Sequence, residues 1–241
     1  MSRMIGFDRK LELAWLDAVV GLLQQGLEPD AILGELHQKL VLDIRGTEAR
    51  RKSVTVLMGI WVNIPDKHVS LRDEALSLAG HVAPRDRTAL HWGMSLLAYP
   101  FVRDVAATVG NLGHLQGNFS LAQVRRRMVE SWGERTTLQR AIQRAMRTLV
   151  QWGAILDTQE RGQYRLAPAQ RIEEPSMALW LLHCALLANG SELVPLQGLG
   201  QLPYLFPFDL MPVVSDVRRS KRFEVSRQGL DLEMVSVAAG H

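Results

Sequence analysis

The chain has 241 residues, of which 47% are hydrophobic and 22% charged, and its net charge is +3. That composition supplies an ordinary globular core, excludes a wholly disordered chain, and suits one large domain or two small ones. A lone cysteine, Cys184, rules out an intrachain disulfide and fits a reducing compartment, so a cytoplasmic location is expected.

The opening MSRMIGFDRK lacks an apolar h-region, so no signal peptide is expected. Apolar positions at helical spacing predict a first helix over 8–25, closed by Gly26. Glu28-Pro29-Asp30 opens a second helix over about 30–41, and a third follows at 47–62. Ser70 is read as the N-cap of a short helix. A further helix covers 86–98, and Pro100 kinks or ends it. Phe101–Gly117 is read as a helix that runs out through Gly110, Gly113 and Gly117.

From residue 119 the pattern changes. Phe119-Ser120 reads as a hydrophobic staple and N-cap for a helix over 121–132. The turn Gly133-Glu134-Arg135 leads to a second helix over 138–152, capped by Thr136 or Thr137. Strands at 154–157 and 163–166 flank a turn at 159–162, and Pro168 closes the unit. Helix, tight turn, helix and hairpin in that order read as a winged helix-turn-helix. Beyond it lie an apolar helix over 176–189, a Pro-, Leu- and Phe-rich irregular segment over 195–212, and short strands at 222–226 and 232–237. At twelve residues, the longest apolar run, Met177 to Ala188, is too short to span a bilayer. The fold class is therefore mainly α. A helical bundle over 1–117 precedes a winged helix-turn-helix over 118–168 and a small C-terminal α/β segment over 169–241.

Charge is unevenly spread. Residues 121–171 hold ten Arg against four acids, an excess of six, so the remainder is acidic on balance. Arg pairs bidentately with phosphate and guanine where Lys offers only a point charge. On the 138–152 helix, Leu138, Ile142, Ala145, Met146 and Leu149 share one face, and Gln139, Arg140, Gln143, Arg144 and Arg147 lie on the other without any acid. A recognition helix in the major groove has this character; a solvated or protein-binding face is the alternative. Arg125-Arg126-Arg127 point about 100° apart, so they cannot all face one ligand, and Arg126 is taken as the phosphate contact. Arg161 and Arg165 either reach phosphates or solubilise the turn. Arg50 and Arg51 extend the phosphate track if their helix lies near the wing.

No metal or cofactor is expected. The seven His are scattered without an H-x₃₋₅-H pair, and His91 reads as a packed helix residue. The Gly110–Gly117 series lacks the Lys-Ser/Thr of a phosphate loop, and no nucleophile elbow or HExxH occurs, so a non-enzyme is expected. All six Trp are read as core residues.

The layout resembles the BrxA family, accessory components of BREX bacteriophage-defence systems. The features that carry the resemblance are Gly26-Leu27…Ile32, Arg45-Gly46-Thr47, Ala89-Leu90-His91-Trp92, Tyr99-Pro100-Phe101-Val102-Arg103-Asp104-Val105, and Leu149-Val150-Gln151-Trp152-Gly153-Ala154-Ile155-Leu156. It covers about residues 8–160, and it implies a helical N-terminal domain, a winged part, double-stranded DNA binding and no enzyme activity. The function expected is a DNA-binding accessory protein of a phage-defence locus, with other defence proteins as further partners. Alternatives are a scaffold or adaptor docking through 195–212, and a transcriptional repressor.

Overall fold

A computed structural model describes residues 4–190, 193–210, 214–228 and 232–238. The protein is mainly helical, with a small strand segment at its C-terminal end. Helices α1 (Leu13–Gln24), α2 (Pro29–Lys39), α3 (Thr47–Trp61), α4 (Val69–Ala79), α5 (Arg87–Ala98) and α6 (Pro100–Gln116) come first. Helix α5 is the axis of this bundle. Every residue from Ala89 to Leu96 is buried, because α1, α3, α4, α6 and the later helix α9 (Pro175–Ala188) surround it. A helix apolar all round has to be enclosed in this way. Gly93 lets α9 approach closely: a Cβ there would sit 2.6 Å from the Trp180 ring.

Several boundaries differ from the sequence reading. Residues 8–12 are not helical; the segment runs extended and α1 begins at Leu13. His68, not Ser70, occupies the N-cap of α4, because a 3-10 turn over Asp66–His68 leads directly into it. Pro100 separates α5 from α6 and sits at the first position of α6, where its missing N–H costs nothing. Gly110 and Gly113 lie inside α6 rather than at its end. A Cβ at either would collide with the Pro203 carbonyl or the Leu166 side chain, so these glycines mark close approaches of two later segments. Only Gly117, at φ 75°, ends the helix.

Strand β1 (Asn118–Ser120) precedes α7 (Leu121–Trp132) and α8 (Thr136–Gln151), and β2 (Ile155–Asp157) and β3 (Gln163–Leu166) follow. The three strands form one antiparallel sheet in the order β1-β3-β2, with Phe119 opposite Tyr164 and Leu156 opposite Arg165. Ser120 is the expected N-cap: its hydroxyl accepts from the Gln123 N–H at 3.1 Å, and the Gln123 side chain accepts from the Ser120 N–H at 2.7 Å. The cap of α8 differs from expectation, since Arg135 holds the N-cap position without a capping side-chain bond. Helix α6 packs on α7, α8, β1 and β3 as well as on α5, so it serves both the bundle and the unit that follows.

Strands β4 (Gln170–Arg171) and β6 (Phe208–Asp209) pair in parallel. Strand β5 (Val194–Pro195) joins β7 (Phe223–Gln228) and β8 (Leu232–Val237) in the order β5-β8-β7, and a short helix α10 (Val214–Arg219) precedes β7. The 195–212 segment forms two 3-10 turns, Leu196–Gln201 and Pro203–Leu205; residues 211–212 lie outside the described residues, as does His241. Its apolar side chains do not form the exposed docking surface that the adaptor alternative assigned to them. Leu196, Leu199, Tyr204, Leu205, Phe206 and Phe208 are buried, and Phe206 and Phe208 pack against Trp92. The Trp92 indole N–H donates to the Tyr204 carbonyl at 2.9 Å, and its ring meets Trp152, Phe206 and Phe208 edge-on at 5.7–6.0 Å. One continuous cluster of buried apolar side chains, from Phe7 to Val235, runs through all three segments of the chain. Among the described residues, no helix is long and apolar enough to cross a membrane.

Candidate nucleic-acid interface

Helix α8 turns Leu138, Ile142, Ala145, Met146 and Leu149 inward, as their spacing predicts, and all five are buried. Gln139, Arg140, Gln143, Arg144 and Arg147 are exposed on the opposite side, and the helix carries no acid. A buried polar side chain ties α8 to the N-terminal segment. Thr148, 2% exposed, accepts from the Leu11 N–H at 3.0 Å, and the Arg9 and Arg144 carbonyl oxygens lie within 3.3 Å of its hydroxyl. The extended segment ahead of α1 is thus strapped across α8.

The expected contact residues divide by their partners. Among the described residues, Arg140, Arg144, Arg126, Arg161 and Arg165 are exposed and have no ion-pair partner. Arg147 is different. Its guanidinium donates to both Asp157 carboxylate oxygens at 2.8 Å, and this hydrogen bond raises the Arg147 pKa. Arg127 pairs with Glu130 at 3.4 Å, while Arg125 is half-buried, so of the three consecutive arginines only Arg126 stands clear. Arg50 donates to the Ile44 carbonyl at 2.8 Å and braces the start of α3. Arg51 grips Glu48 through two bonds of 2.9 and 2.7 Å; that bond chiefly holds the Glu48 carboxyl down at about 2.

The bundle contributes more than the sequence suggested. A cleft of about 850 Å³ opens between α3, the N-terminal strap and the start of α8. Its walls carry Arg9, Arg51, Lys52, Arg135, Arg140 and Arg144, with Asp8 as the one acid among the lining residues. Arg51 and Lys52 of α3 therefore lie beside α8, and no residue of the 158–162 turn lines the cleft with them. At about 100° per residue, Arg140, Arg144 and Thr137 face the cleft, and Gln143 and Gln139 lie about 60–100° further round α8. Arg9 carried no signal in the sequence, because its segment reads as helix and only the strap geometry brings it here. Lys52 and Arg135 were visible as basic residues but not as members of one site.

The indole rings are unavailable for stacking on bases: Trp15, Trp61, Trp92, Trp132, Trp152 and Trp180 are all buried. His91 is buried too, 3.2 Å from Asp17 through Nε2, and burial pushes its pKa down. Among the described residues, no group of three or more His, Cys, Asp or Glu is placed to hold a metal ion. No protein family, curated protein or solved structure matches the chain.

Proposed function

We propose that residues 100–166 form a winged helix-turn-helix that binds duplex DNA, with α8 as the recognition helix and the 158–162 turn as the wing. The order α6, β1, α7, α8, β2, turn, β3, with β3 central in the sheet, supports this reading. The observation that carries it is the outer face of α8: two unpaired Arg, two Gln and no acid, continuous with a basic cleft. Gln139 and Gln143 approach base edges, Arg140 and Arg144 hold guanine or phosphate, and Arg126, Arg161 and Arg165 hold flanking phosphates. Arg faces secure phosphate affinity more firmly than base reading, so sequence preference is weak. The resemblance to BrxA supports a non-catalytic, accessory role in phage defence, alongside other proteins of the locus.

Affinity for a duplex of about 20 base pairs, measured across a salt series, tests this. Five phosphate-neutralising Arg give a slope of log affinity against log salt of about −4.5. Arg140→Ala with Arg144→Ala flattens the slope by about 2 and weakens binding at low salt at least about tenfold. Undetectable binding at low salt, or an unchanged slope in the double variant, overturns the proposal.

A further inference from the structure

We propose that the cleft between α3, the N-terminal strap and α8 is a binding site for a chain of phosphates, adjoining the groove-reading face of α8 and sharing Arg140 and Arg144 with it. Six cations converge on its walls: Arg9, Arg51 and Lys52 from the strap and bundle, and Arg135, Arg140 and Arg144 from the turn and helix beyond. Only Asp8 opposes them on those walls, and it already lies 3.8 Å from Arg9. Glu48, which holds Arg51 and Lys52, is not one of the wall residues. Like charges crowded into a concave space repel one another and favour any polyanion that enters.

A second feature points the same way. The N-terminus of α8, a helix of 16 residues, opens at this cleft through Arg135 and Thr137. It has no capping side-chain bond and no acid in its first turn. Its first N–H groups and the positive end of its dipole therefore face the same space as the cations. At about 850 Å³ the cleft is of a size that takes a substantial ligand, and its cations come from the strap, α3 and the start of α8, so a single small anion would satisfy only some of them. Strand phosphates and a free nucleoside polyphosphate share this chemistry. Either one, once bound, draws α3 and α8 together.

Thermal unfolding of the full chain with inorganic tripolyphosphate, against sodium chloride of equal ionic strength, is the test. Saturating tripolyphosphate raises Tm by about 5 °C over the salt control. Arg51→Ala with Lys52→Ala, both outside the winged unit, removes at least half of that shift. Glu48→Gln releases both cations and enlarges it. Arg161→Ala, in the turn, leaves it unchanged. No shift beyond the salt control, or an equal shift in the Arg51/Lys52 double variant, overturns the proposal. Duplex binding then separates the sources. If strand phosphates fill the cleft, the same double variant flattens the DNA salt slope by about 2. If a free nucleotide fills it, the DNA slope stays as in the wild type while the Tm shift with ATP is lost. A chain that binds tripolyphosphate but no duplex leaves the cleft in place and removes the recognition-helix reading; the converse result does the opposite.

Discussion

Two Arg-rich regions of this protein use the same residue type in opposite ways. At the C-terminal end, Arg218 pairs with Glu233, Arg219 with Asp216 at 2.7 Å, and Arg222 with Glu74 of α4 through both nitrogens of its fork. On α8 and in the following hairpin, Arg140, Arg144, Arg161 and Arg165 have no such partner among the described residues. The first set fastens the terminal sheet to itself and to the bundle. The second set does no comparable structural work and leaves its charge available to an anion. Counting charges along the chain does not separate the two regions; pairing does.

The largest expected effect exchanges the two behaviours. Arg222→Ala removes a half-buried bidentate pair and leaves Glu74 short of its partner beside the α9 core. It lowers unfolding stability by about 2 kcal/mol, roughly a 30-fold change in the folding equilibrium, and leaves duplex affinity unchanged. Arg140→Ala with Arg144→Ala does the reverse: the denaturant midpoint stays within experimental error while affinity falls. A double variant of α8 that unfolds as readily as Arg222→Ala would erase the distinction.

Somewhat smaller is the effect of Thr148→Val, which sharpens the comparison from inside the interface. Here α8 is held by a neutral side chain rather than by its cations. Valine keeps the volume but leaves the buried Leu11 N–H without its acceptor, at a cost of about 1–2 kcal/mol. Amide exchange at Leu11 quickens, and because Arg9 rides on the same strap, the tripolyphosphate shift shrinks with it. An unchanged exchange rate at Leu11 would mean that the strap is held by other contacts.

What could be read from the sequence follows the range of the interactions. The inward face of α8 was legible because Leu138, Ile142, Ala145, Met146 and Leu149 repeat at the helical period, and the β2–β3 hairpin was legible from the turn between its strands, whereas 222–226 and 232–237 read only as short strands without a pairing. Local rules failed where a distant segment decides. Gly110 and Gly113 read as the fraying end of a helix, since glycine is a poor helix former. They are there because the backbone at Pro203 and the side chain of Leu166 press against α6. Strand β1 is three residues long and shares Ser120 with the cap of α7, so the capping signal masked it. Residues 8–11 of the strap read as the start of a helix over 8–25, but the Leu11 N–H goes to Thr148, 137 residues away. For the same reason the outer stripe of α8 was legible and the cleft was not. Half of its cations come from the other end of the chain.

The smallest expected effect concerns Arg147, the one outward Arg on α8 that behaves like the C-terminal set. Asp157 reaches it across the helix-to-strand junction and holds both its bonds at 2.8 Å. The pair is half-exposed, with side-chain exposures of 45% and 50%, so it adds little to stability, on the order of 0.5 kcal/mol. It does take one positive charge out of the face proposed to meet DNA. Asp157→Asn removes the opposing carboxylate while keeping the shape, and so moves Arg147 from the paired class to the unpaired one. The salt slope for duplex binding then steepens by about 1 and low-salt affinity rises a few-fold, with Tm nearly unchanged. Arg147→Ala in the wild-type background, by contrast, costs little affinity, because that charge was already engaged. If Arg147→Ala weakens binding as much as Arg144→Ala does, the ion pair opens when DNA arrives, and pairing in the free protein is no guide to which cations meet the duplex.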